Sequence, residues 1–139
     1  MGVLVSIGSD GYVHCRLMDS SSRPSEWNKV SLDITDYFRK DSDTISKQRK
    51  ATSMCIVYED TRKAKIGVGT SCGRVLLINI DKSDDDILHS IINDVYIASE
   101  QVEENVVVHA LCSSQYEDSS RILIGQSNGV SIWDVPLST

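Results

Sequence analysis

Apolar residues recur at every second position over much of the chain. Val3, Val5 and Ile7 alternate in "VLVSI" (3–7), as do Val30, Leu32 and Ile34 in "NKVSLDI" (28–34). This two-residue period is that of a strand with one face buried. Further strand-like runs are "TSMCIVYED" (52–60), "DVYIASE" (94–100) and "VHALCSSQYED" (108–118). "VLLINI" (75–80) is apolar on both faces, which predicts a strand covered from both sides. One stretch breaks the pattern. In "SDDDILHSIIND" (83–94), Ser83 is a good N-cap, and Asp84, Asp85 and Asp86 suit the positive end of a helix dipole. Ile87, Leu88, Ile91 and Ile92 then form a helical stripe, so a short inserted helix is expected near 84–93.

The strands repeat. "VLVSIGSDGYVHCRLMD" (3–19), "AKIGVGTSCGRVLLINID" (64–81) and "RILIGQSNGVSIWDV" (121–135) each run strand, Gly-containing turn, strand. Their turn glycines are Gly11, Gly73 and Gly129; hairpin turns favour glycine because a central residue takes positive φ. Upstream of the last two copies stand "TSMCIVYED" and "VHALCSSQYED", both ending in Tyr-Glu-Asp. Before these lie the 28–34 and 94–100 strands. Two four-stranded units are therefore expected, 28–81 and 94–135, with half a unit over 1–19. "DSSSRPSEW" (19–27) and the charged segment 35–50 read as insertions.

The run "VHALCSSQYEDSSRILIGQSNGVSIWDV", closing on Trp133-Asp134, resembles the WD40 repeat. The middle copy has Ile78-Asn79 in the Trp-Asp place, and the first has Arg16-Leu17. The resemblance implies an all-β fold: antiparallel four-stranded blades of a WD40-like β-propeller. Closed propellers usually need at least four blades. About two and a half are expected here, hence an incomplete, open ring within a single partial propeller domain, 1–139. The family also implies a non-enzymatic protein–protein interaction scaffold. Its expected partners are further blades of its own propeller, a second copy, or another protein.

Composition narrows the function classes. At 139 residues the chain suits one domain, and 40% hydrophobic with 24% charged residues is ordinary for a globular protein. A net charge of −6 argues against bulk nucleic-acid binding, which needs a basic footprint. No apolar run approaches the ~18–20 residues needed to span a bilayer. Cys15, Cys55, Cys72 and Cys112 form no C-x-x-C pair, which points to a reducing compartment, cytoplasm or nucleus. "MGVLVS" fits the loose N-myristoylation pattern, but the strand pattern over Val3–Ile7 is the preferred account.

Candidate chemistry is sparse. His14-Cys15 and His109-x-x-Cys112 lie in expected strands, where the paired residues face opposite ways, so no nucleophile or metal site is expected. No glycine-rich loop carries a phosphate-binding lysine, no cofactor is implied, and "EDT" and "EDS" read as turns. Eight of the 14 Lys/Arg residues cluster between Arg39 and Lys65: Arg39, Lys40, Lys47, Arg49, Lys50, Arg62, Lys63 and Lys65. They are the candidate partner-binding patch, and they carry the alternative function: binding an acidic protein, nucleic acid or an anionic surface through residues 39–65.

Overall fold

The computed structural model describes residues 2–8, 10–18, 20–34, 50–81, 92–97, 107–116 and 119–136. Among them are ten strands: β1 (Val3–Ile7), β2 (Tyr12–Leu17), β3 (Lys29–Asp33), β4 (Ala51–Glu59), β5 (Lys63–Thr70), β6 (Val75–Asp81), β7 (Ile92–Ile97), β8 (Val108–Tyr116), β9 (Ser119–Gln126) and β10 (Gly129–Pro136). The one helical element among the described residues is a 3-10 turn at Pro24–Glu26. The strands form three antiparallel sheets, ordered β1-β2-β3, β4-β5-β6-β7 and β8-β9-β10. Among the described residues they do not close a ring.

The all-β, antiparallel expectation holds, but sheet membership differs from the expected units. Only the middle sheet has four strands; the other two have three. β3, expected to open the 28–81 unit, pairs instead with β2, with Val13 opposite Leu32 and Cys15 opposite Val30. β7, expected to open the 94–135 unit, pairs with β6. The hairpins are specified by local turns, whereas a strand at the end of a longer link joins whichever free edge completes a ladder. The expected helix near 84–93 falls mostly outside the described residues. Its last two positions, Ile92 and Asn93, are strand, opposite Ile80 and Asn79. There the free edge of β6 prevails over the helical spacing of the isoleucines.

Glycines shape the turns at Gly11 (φ 82°), Gly73 (φ 86°) and Gly129 (φ 140°), conformations that L side chains rarely adopt. Asp10 accepts from the Tyr12 N–H (3.0 Å) in the first turn, and the Thr70 hydroxyl donates to the Arg74 carbonyl (2.7 Å) in the second.

The core is made of two apolar layers with the middle sheet between them. Ile66, Val68, Leu76, Ile78 and Ile80 pack against Val13, Cys15 and Ile34 of the first sheet. Val57, Val75 and Leu77 pack against Val108, Ile122, Ile124 and Val135 of the third. Strand β6 thus sends alternate side chains into both layers, as its two-faced apolar sequence predicts. The third-sheet layer is close because β5 presents glycines there. A Cβ at Gly69 would lie 2.5 Å from Val108 Cγ1 and also meet the Ser53 hydroxyl. Across this seam Thr52 Oγ1 donates to the Val108 carbonyl, and Ser113 Oγ to that of Ile56.

Gly125 is followed by a turn and a strand as Gly69 is, yet a Cβ there would lie 3.7 Å from the Ala110 Cβ, an ordinary contact. Gly69→Ala is therefore expected to cost about 1–3 kcal/mol through overpacking. Gly125→Ala is expected to be neutral or to stabilise by up to about 1 kcal/mol through the unfolded chain. Urea unfolding of the two variants measures the difference.

Candidate functional site

The third sheet turns an apolar face outward. Ala110 and Cys112 on β8, Leu123 and Gly125 on β9, and Val130 and Ile132 on β10 share it. Leu123 stands opposite both Cys112 and Ile132, and Gly125 opposite both Ala110 and Val130. Alternation along β9 and β10 sends Ile122, Ile124 and Val135 into the core and these residues away from it. Leu123 is 41% exposed, Ile132 65% and Val130 69%. At one end of the patch Arg121 Nε meets Asp134 Oδ1 at 3.1 Å. Both are well exposed, so the pair contributes at most about 1 kcal/mol and chiefly marks a polar rim.

The outward face of the first sheet is mainly polar, although Leu4 (47% exposed) and Tyr12 (38%) also lie on it. Ser6, His14 and Ser31 lie in one row across β1, β2 and β3. His14 Nδ1 is 2.7 Å from Ser31 Oγ, and His14 Nε2 is 3.2 Å from Asp10 Oδ2. Tyr12 stacks on the imidazole, ring centroids 5.9 Å apart. The Tyr12 backbone N–H, and then His14, hold the Asp10 carboxyl below its ordinary pKa. The order serine, histidine, aspartate matches a nucleophile, base and orienting acid, but the row lies on an open sheet surface. There it ties the β1–β2 turn to β3. The sequence alone does not reveal it, because the contact depends on pairing His14 with Ser31, 17 residues away.

Of the candidate basic patch, Arg39, Lys40, Lys47 and Arg49 lie outside the described residues. Lys50, Arg62, Lys63 and Lys65 are described. Arg62 and Lys63 sit together on the β4–β5 turn, which Asp60 builds by accepting from both their backbone N–H groups at 2.7 and 2.8 Å. Lys63 Nζ lies 5.8 Å from the Tyr58 ring centroid. Lys65 turns inward and is only 8% exposed; burial, then Lys63, pushes its pKa down. The Lys50 backbone N–H donates to Ser71 Oγ (2.8 Å).

All four thiols are free. Cys15 and Cys72 are buried, and burial pushes the Cys15 thiol up to about 12. Cys112 is exposed on the third sheet's outer face. His109 is held by Ser127, Nε2 to Oγ 3.1 Å. Among the described residues no group of three or more metal-ligating side chains occurs, and none of their helices is long and apolar enough to cross a membrane. Comparison with family models, curated proteins and solved structures finds no match.

The β4–β5 turn carries a pH dependence. The Tyr58 hydroxyl donates to Asp60 Oδ2 (2.6 Å), and with the two backbone N–H groups this holds the Asp60 carboxyl down at about 2. A depressed folded-state pKa gives stability that is present above the unfolded value near 4 and is lost as pH falls through about 2. A carboxyl NMR titration is expected to show an Asp60 midpoint near 2, and Tyr58→Phe to raise it.

Proposed function

We propose that this chain is a non-enzymatic interaction module, part of a WD40-like propeller scaffold, that docks through the outer face of its third sheet onto a further aliphatic-faced β-sheet. One observation carries this: the two ends of the sheet stack differ. The first sheet ends the stack mainly in polar residues, Ser6, His14, Arg16, Lys29 and Ser31, with Leu4 as the exposed aliphatic among them, while the third ends it in Leu123, Val130 and Ile132. In stacked repeat architectures a terminal unit with a polar outer face acts as a cap, and an apolar outer face calls for a neighbour.

The docking face has the same placement of residues that meets the next sheet elsewhere in the chain. Val75 and Leu77 follow the Gly73 turn and face the third sheet; Val130 and Ile132 follow the Asn128-Gly129 turn and face outward. Covering each aliphatic side chain contributes about 1.5–3 kcal/mol at full burial. A second copy joined head to tail would set this face against the polar row of the first sheet, a poor match. A β-sheet with its own apolar face, supplied by a protein partner, matches it. The basic stretch gains no support, since Lys65 is turned into the fold.

An uncovered face of this kind makes the isolated chain associate in solution. Light scattering after size exclusion is expected to show mass rising with concentration. Ile132→Glu is expected to restore a monomer while shifting unfolding stability by no more than about 0.5 kcal/mol, as for other exposed positions. A concentration-independent monomer in the unmodified chain contradicts the proposal.

A further inference from the structure

The hairpins of the second and third sheets are each flanked on one side by a nine-residue strand, β4 beside β5 and β8 beside β9. β4 and β8 pack against one another across the seam, tied by the Thr52 and Ser113 hydroxyls. The hairpin of the first sheet, β1–β2, has β3 beside β2, as β7 stands beside β6. Among the described residues no strand pairs with the other side of β1.

That side is not flush. A cavity of about 350 Å³ lies there, with Val3 and Val5 of β1 on one wall and Met54, Ile56, Ala64 and Ile66 of the middle sheet on the other. Ile56 is 55% exposed, although the neighbouring Val57, which faces the third sheet, is 2% exposed. The face of β4 toward the first sheet therefore lacks the strand that β8 supplies on its opposite face. A strand edge presents a row of backbone donors and acceptors, which an added strand satisfies while its alternate side chains fill the pocket below.

We propose that the open edge of β1 accepts one extended segment of a partner polypeptide, paired antiparallel in the position that β4 holds beside β5. Its chemistry follows from β4. The residues of β4 that face the next sheet are small or aliphatic, Ser53, Cys55 and Val57, and the accepted segment carries such residues at every second position toward Met54 and Ile56. A second copy of the chain offers its strands as members of sheets, whereas the place beside β1 corresponds to a single strand. This surface is separate from the outer face of the third sheet and does not depend on it.

The test uses the full chain and a fluorescein-labelled synthetic peptide with the β4 sequence, "ATSMCIVYE", in reducing buffer. Saturable 1:1 binding by anisotropy is expected, with slowed amide exchange over Val3–Ile7. A scrambled peptide of the same composition is expected to bind at least tenfold more weakly. Ile56→Arg, at an exposed position that leaves folding intact, is expected to weaken binding at least tenfold, and Ile132→Glu to leave it unchanged. Equal binding of the scrambled peptide, or no protection of the β1 amides, overturns the proposal. Protection on β9 and β10 with loss of binding in Ile132→Glu overturns it too, assigning the peptide to the third sheet's face.

Discussion

Burial of the middle sheet from both sides is the constraint on which the rest of the structure depends. Leu76, Ile78 and Ile80 face one neighbour while Val75 and Leu77 face the other. Neither outer sheet has enough strands to form a core alone: three short strands with one apolar face need something to cover that face. The middle sheet supplies the cover to both, and Gly69 lets the third sheet approach closely enough for Val108 to pack on backbone.

The same two-sided logic explains the surfaces. Every sheet in this stack has two faces, so a stack of three has two interior seams and two ends. The first end is closed by polar side chains that bond to one another, Ser31 to His14 to Asp10. The other end repeats the apolar pattern of an interior seam with no neighbouring sheet among the described residues. The edges follow suit: β4 and β8 cover one another, while β1 stands beside an apolar cavity. The interaction role proposed for the chain thus comes from what an additive architecture leaves uncovered.

Strands and hairpin turns were legible in the sequence because both are written locally, in alternation and in glycines with positive φ at Gly11, Gly73 and Gly129. The two-sided burial of "VLLINI" was legible for the same reason. Sheet membership was not, since β3 and β7 carry no signal for which neighbour they join; only the free edges of β2 and β6 decide it. The outward alternation of Val130 and Ile132 could be read, but whether their face is covered depends on tertiary neighbours. The burial of Lys65 was not legible either, because it comes from cover on both faces of β5, which is buried without a break from Lys65 to Thr70. The Asp10–His14–Ser31 row needed the β2–β3 register, which no spacing in the chain encodes.

Thiol reactivity tests the central claim most directly, since the four cysteines sample both interior layers and the outward end. Cys15 and Cys72 lie buried in the layer between the first and middle sheets, Cys55 is half-buried against the third sheet, and Cys112 is on the open face. The account predicts that, in the native monomer at low protein concentration, Cys112 reacts rapidly with a maleimide. Cys55 is to react slowly, and Cys15 and Cys72 only as fast as the protein unfolds. Rapid labelling of Cys15 or Cys72, or protection of Cys112 in the monomer, would contradict it.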